Sequence, residues 1–288
     1  MSSAERLTSS FAYHGEGPFW DSRGSRLLCL DVFASDVVAI DSGGGITRYP
    51  VPSAAATVIR RRAGTGFVIA TRQCLVLADE GLASFEHLAT LVNDPTVRTN
   101  DGGCDPLGGF VIGTMTYDGK TNGGAVYRVS PDRQPPRTLL APVSISNGVQ
   151  WSADDKRVFY IDTPTRRVDV FDFDLKDGTW SGRRTHINID CARGVPDGMA
   201  IDEEDGLWIA LWGAGAVDHY DKDGRLVGTI TVPGVTQVSS CAFGGDDLSK
   251  LYITTSRENL RPVDEPDAGA VFVVQTAFQG AAQAEFGG

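Results

Sequence analysis

Glu16, Thr57, Asn100, Asn147, Asp197 and Ser240 are polar residues that recur at intervals of 41, 43, 47, 50 and 43 positions, each a short way ahead of a β-rich run. Three of them, Glu16, Asn147 and Asp197, offer only oxygen donors. Gathered at one point, their two carboxylates would neutralise a divalent ion and the carboxamide oxygen would add a third contact. Such hard donors favour calcium first, and then magnesium or manganese, over a thiolate-bound metal; zinc is tolerated there but not selected. Three protein ligands leave coordination positions for water and substrate, the arrangement that metal-assisted catalysis needs. Taken singly, each of these residues also reads as turn chemistry, because Asn-Gly and Asp-Gly are common turn dipeptides and Glu16 could cap a strand. Their shared spacing is what favours a site.

A common meeting point requires a repeated element. Long windows with helical periodicity are missing from the chain. Short β-branched and aromatic runs fill it instead, among them RLLCLDV, GFVIAT, GGFVIGTM, RVFYID, GLWIAL and KLYITT, separated by turns that draw on 34 glycines. The segments GEGPFWDSRGSRLLCLD, TNDGGCDPLGGFVIGTM, SNGVQWSADDKRVFYIDT, PDGMAIDEEDGLWIALWG and SSCAFGGDDLSKLYITT share one frame, and ATVIRRRAGTGFVIAT is a weaker copy. Six units of about 40–50 residues with four short strands each predict an all-β fold, a six-bladed β-propeller around a central, metal-containing tunnel. A β-sandwich or jelly roll is the alternative, but it gives no reason for the repeat. One ring makes one domain over residues 1–288, with the motifs between 15 and 275 and short tails; QTAFQGAAQAEFGG at the end is expected to fray unless it adds a closing strand. In a propeller the first strand of each blade lines the tunnel, so residues at one repeat position meet at one height. A buried polar ring is costly unless something satisfies it, and a bound cation does so.

The remaining features narrow the function. The net charge is −11, with 22% charged and 41% apolar residues, and the only basic run is Arg60-Arg61-Arg62. That argues against nucleic acid and against an anionic membrane surface. The first residues carry no apolar signal core, and no stretch of about 18 apolar residues occurs, so a cytoplasmic protein is expected. Cys29, Cys74, Cys104, Cys191 and Cys241 form no C-x-x-C pair and read as reduced, mostly buried thiols. His14 lies beside the polar ring, whereas His87, His186 and His219 show no ligand spacing and read as surface or packing residues. No G-x-S-x-G elbow, dinucleotide fingerprint or P-loop is present.

The stretches GEGPFWD, RTNDGGCDPLGGFVIGTM, ISNGVQWSADDKRVFYIDTPTRRVDVFDFD, VPDGMAIDEEDGLWIALWGAG and SSCAFGGDDLSKLYITTSR resemble the senescence-marker-protein/gluconolactonase/luciferin-regenerating-enzyme family, the regucalcin-like proteins. The resemblance runs from residue 15 to 257 and implies a six-bladed propeller and a metal-dependent hydrolase that opens a sugar lactone, an aldonolactone such as glucono-1,5-lactone. It puts the metal on Glu16, Asn147 and Asp197, gives Asp197 the role of general base, and gives Arg98 and Asn100 the substrate's hydroxyls and ring oxygens. Family members often carry an acidic residue in a longer lid after GTM; here the segment is short, and Asp118 is the candidate for that contact. The expected partner is a small sugar lactone, and the chain a monomer or weak homodimer. Two alternatives remain: a propeller enzyme acting on another small ester or natural-product lactone, and a non-catalytic calcium-binding regulator. Arg98 and Asn100 separate the last from an enzyme, since a calcium buffer has no use for polyol contacts.

Overall fold

The structure is a computed structural model and describes residues 2–288. Among these residues the strands form six sheets, five of four strands and one of five. The innermost strands are Gly15–Asp21, Ala56–Arg61, Val97–Cys104, Ser146–Trp151, Val195–Ile201 and Val238–Gly244. Each touches the innermost strand of the next sheet, and the last touches the first, so the contacts form a closed cycle. This is the six-bladed β-propeller that the repeat predicts, with each sheet as a blade. Among the described residues no helix is long and apolar enough to cross a membrane.

The apolar faces of neighbouring blades make the core. Phe19, Leu28 and Leu30 of blade 1 pack against Ile59, Phe67 and Ile69 of blade 2, for example. Burying side chains of this size contributes about 1.5–3 kcal/mol each. The acidic composition has a local cause. Asp41, Asp79, Asp105, Asp202 and Asp221 each accept two backbone N–H groups from the turn that follows them. A carboxylate there replaces the missing ladder partners. Arg60 and Arg61 of the basic run are buried, not displayed on the surface. Arg61 pairs with Asp21 at 2.7 Å and Glu80 at 2.6 Å and lies over the Phe67 ring.

The last blade is completed from the other end of the chain. Val238–Gly244, Lys250–Thr255 and Val271–Gln275 take Glu5–Arg6 as their outermost strand, in antiparallel register with Phe272 and Val273. The C-terminal residues, expected to fray or to close the ring, do neither. Gly280 N–H donates to Leu248 O at 2.9 Å and Ala281 N–H to Ile201 O at 3.1 Å. Phe286 N–H then donates to Arg61 O at 2.8 Å, and Gly287 N–H to Gly108 O at 2.9 Å. The segment therefore crosses from blades 5 and 6 to blades 2 and 3 at the end of the tunnel where the innermost strands finish. There it walls a cavity of about 540 Å³, together with Arg60, Trp151 and Phe243. The sequence pattern misses this strap because it has almost no ladder and hence no periodicity. Its small residues fit the close crossing: a Cβ on Gly280 would lie 2.1 Å from Phe243 Cβ. Its anchor is Phe286, fully buried among Val58, Val68, Phe110 and Val129. Phe286→Ala is expected to cost about 3–5 kcal/mol, read as a lowered urea midpoint. A loss under about 1 kcal/mol would show that the strap is not docked in solution.

Candidate metal centre and substrate mouth

Glu16, Asn147 and Asp197 sit at the second or third position of their innermost strands, near the tunnel end opposite the strap. All six innermost strands break ladder register beside the repeated polar residue: between Glu16 and Phe19, Ala56 and Val58, Thr99 and Gly102, Asn147 and Val149, Pro196 and Met199, and Val238 and Ser240. A bulge frees a residue from the pleat and re-aims its side chain. The following glycine is required by crowding. Gly17 has φ +56°, and a Cβ there would lie 2.7 Å from Thr57 O; a Cβ on Gly198 would lie 2.1 Å from Ser240 Oγ.

Polar side chains then stitch neighbouring blades together. Thr57 and Thr99 hydroxyls meet at 2.9 Å, and Ser239 Oγ donates to Gly15 O at 2.6 Å. Asn100 Nδ2 donates to Asn147 Oδ1 and to Ser146 O, both at 2.9 Å. Asn147 Nδ2 donates to Thr163 Oγ1 at 2.7 Å, and that hydroxyl donates onward to Pro196 O at 2.8 Å. Because the Thr163 proton is committed to Pro196, its oxygen must accept from Asn147, which fixes the amide orientation. Asn147 Oδ1 is then held beside Asn100 with one lone pair taken and one left.

The carboxylates are less satisfied. Glu16 Oε2 accepts only its neighbour Gly17 N–H, at 2.9 Å, and Asp197 accepts no hydrogen bond among the described residues. Neither is in an ion pair among the described residues. Asp101, directly after Asn100, is half-buried and among the described residues accepts only Gly102 N–H, at 2.7 Å. Burial holds all three acids above the usual carboxylate range, and for Glu16 and Asp197 repulsion by other acids adds to it. Burial followed by the charge of Asp101 raises Glu16, burial followed by the charge of Glu16 raises Asp197, and burial raises Asp101 against the pull of Arg60. Among the described residues no three His, Cys, Asp or Glu side chains converge as a metal cluster; the set in question has two carboxylates and a carboxamide. Under-partnered carboxylates beside an oriented amide oxygen fit a hard divalent cation, which would hold them ionised.

The rim adds a different chemistry. Arg98 is buried; its Nη1 donates to Thr99 O at 2.9 Å and Asn100 Oδ1 at 2.6 Å, while Nε has no partner among the described residues. Phe33 lies under the guanidinium at 5.5 Å and stacks on His14 at 5.5 Å, and Trp212 meets His14 edge-on at 5.8 Å. Burial, then the charge of Arg98, lowers His14 to about 3, so its ring is neutral at ordinary pH, with Nδ1 2.8 Å from Ser256 Oγ. Asp118 is exposed and its carboxylate accepts Lys120 N–H at 3.2 Å. Away from the tunnel, His219 stacks on Trp208 at 3.9 Å with Nε2 3.3 Å from Asp202, a packing role, and His87 is exposed. All five cysteines are unpaired; Cys29, Cys104 and Cys241 are buried. The repeat overlooks two acids near this mouth. Asp101 could have been suspected as the second acid-amide of R-T-N-D-G, but Glu258 stands in a loop that has no repeat partner.

A six-bladed propeller that gathers under-partnered carboxylates and a carboxamide at one mouth of its tunnel is the class that fold and site define. The chain belongs to the SMP-30/gluconolactonase/LRE-like family, whose model matches residues 14–257. It is 35% identical to regucalcin of Danio rerio over 267 residues, 90% of each chain. Among solved structures it is similar to regucalcin from Agrobacterium tumefaciens, described as a calcium-binding protein, with TM-score 0.92 and 28% identity over 99% of this chain and 97% of that one. A luciferin-regenerating enzyme matches with TM-score 0.89 and 28% identity over 96% of each chain.

Proposed function

We propose that the protein is a metal-dependent hydrolase that opens a sugar lactone, an aldonolactone such as glucono-1,5-lactone, to its aldonic acid. The observation that carries this reading is the pairing of two unlike sites at one mouth: the under-partnered Glu16, Asn147 and Asp197 beside the donor Arg98, which Asn100 holds in place. Membership in a family named for gluconolactonase supports it, and the calcium-binding description of the A. tumefaciens relative supports calcium as the ion.

Glu16, Asn147 and Asp197 would hold the ion, which when bound supplies Lewis-acid polarisation of a carbonyl oxygen. Asp197 takes a proton from the attacking water as its oxygen bonds to the lactone carbon. The ring C–O bond then breaks, and the departing alkoxide recovers a proton from Asp197. Arg98 donates to substrate oxygens, and Asn100 keeps both Arg98 and the Asn147 oxygen in place, so the substrate is oriented before reaction. A purely calcium-binding regulator leaves Arg98 and its apolar surround unused. The test is to strip the protein with chelator, reload it with Ca²⁺, Mg²⁺, Mn²⁺ or Zn²⁺, and follow acid release from glucono-, galactono-, xylono- and arabinono-lactones. Turnover that returns with metal is expected; no turnover of any lactone with any ion rejects the reading.

A further inference from the structure

The segment after Met115 is expected to bring an acid to the substrate, and Asp118 is exposed there, with its Oδ1 accepting Lys120 N–H at 3.2 Å. An acid does reach the mouth from the opposite side of the ring. Glu258 stands in the loop that follows Lys250–Thr255 in blade 6, and its backbone is pinned from several directions. Its N–H donates to Ser256 Oγ at 3.0 Å, and its carbonyl accepts from Gln237 Nε2 at 3.1 Å. The residues on either side are tied to Tyr13: Arg257 N–H donates to Tyr13 O at 3.0 Å, and Asn259 N–H to the Tyr13 hydroxyl at 3.3 Å. The side chain is about two-thirds buried, with Oε2 3.9 Å from His14 Nδ1. Its carboxylate oxygens make no hydrogen bond among the described residues. Glu258 is foremost among the charges that act on the buried Arg98.

A hydroxylated ring needs acceptors as well as donors. At this mouth Arg98 is a donor, both Asn100 amide hydrogens are committed, and His14 has one ring nitrogen engaged with Ser256. Phe33 and Trp212 supply apolar surface for the C–H face of a ring. We propose that Glu258 is the specificity-determining residue of this site, accepting hydrogen bonds from the hydroxyls of a polyol ring held between it and Arg98. The inference rests on the hydrolase reading for its substrate. A carboxylate has room for several hydroxyl donors, and its charge strengthens each bond. A site built this way rejects analogues that lack the hydroxyls, because its acceptor is then left unpaired.

The test uses two readouts on Ca²⁺-loaded wild type, Glu258→Gln and Glu258→Ala. One is calorimetric titration with 1,5-anhydro-D-glucitol, a polyol ring with no lactone carbonyl. The other is the ratio of kcat/KM for glucono-1,5-lactone to that for the hydroxyl-free δ-valerolactone. Loss of a charged acceptor should weaken anhydroglucitol binding by roughly 10- to 100-fold in Glu258→Ala, and less in the isosteric Glu258→Gln, which keeps one acceptor oxygen. The lactone ratio should fall by a similar factor. Wild-type binding in both variants, or equal losses on both lactones, overturns the proposal. If wild type turns over neither lactone, the hydrolase reading fails, while the anhydroglucitol titration still decides the role of Glu258.

Discussion

Asp197→Ala is expected to lose at least about 10³-fold in kcat/KM on any lactone the wild type opens, since a positioned acid–base group alone contributes about 10²–10⁴-fold. The proposed mechanism uses this carboxylate twice, as a cation ligand and as the proton acceptor, so its removal strikes both. Asp197→Asn separates the two roles. Its carboxamide keeps an oxygen for the ion but cannot take the proton, so it should still bind metal, more weakly, and yet not turn over at saturating metal. The near-complete burial of Asp197 makes relocation of another base to this position implausible. The check is steady-state kinetics at several metal concentrations. An Asp197→Ala variant within tenfold of wild type would remove Asp197 from the mechanism.

Chelation is expected to abolish turnover and to lower the melting temperature by on the order of 10 °C at neutral pH. An ion present at a thousand times its Kd stabilises the folded state by about 4 kcal/mol, and a chain of this size shifts by about 2–4 °C per kcal/mol. The effect depends on pH with a definite sign. Glu16 and Asp197 titrate above the ordinary carboxylate range when no ion is bound, chiefly because they are buried and then because they face other acids. Their raised values favour the metal-free fold most below about pH 4, the ordinary carboxylate value. That contribution is lost as pH rises through the folded-state values. The ion reverses the balance, because it binds the carboxylates and displaces their protons. The melting-temperature gain on adding Ca²⁺ should therefore grow from pH 5 to pH 8, and titration in buffers of different ionisation enthalpy should show protons released. A gain that is flat across this range, or larger at pH 5, would contradict the assignment.

The parts of the molecule that repeat were legible in the sequence. Six strands with the same polar position produced the ring and named Glu16, Asn147 and Asp197, because a bulge and a close-packed glycine leave a recognisable trace each time. Arg98 was less legible: one guanidinium among many, it took the resemblance to a known family to single it out. Glu258 left no trace, since its place is set by Gln237 and above all by Tyr13 at the other end of the chain, as well as by the neighbouring Ser256. Asp118 was singled out by its type and its place after GTM, and in the structure it is exposed with Oδ1 accepting Lys120 N–H of its own turn. The strap through Phe286 escaped for a third reason: a single buried side chain at the end of an unpatterned segment carries no period.

The pairing of Glu5–Arg6 with Val271–Gln275 also sets an order of events. During synthesis Glu5–Arg6 emerges early and must wait for the last blade, so blades 1 to 5 can form while the ring is still open. Closure then joins residues separated by nearly the whole chain, a slow step by its contact order. Until that step, the strip of blade 6 that will receive Glu5 and Arg6 is an unpaired edge, open to the same segment of a second molecule. Crowded, newly made chains are thus exposed to exchanging that segment for as long as closure takes.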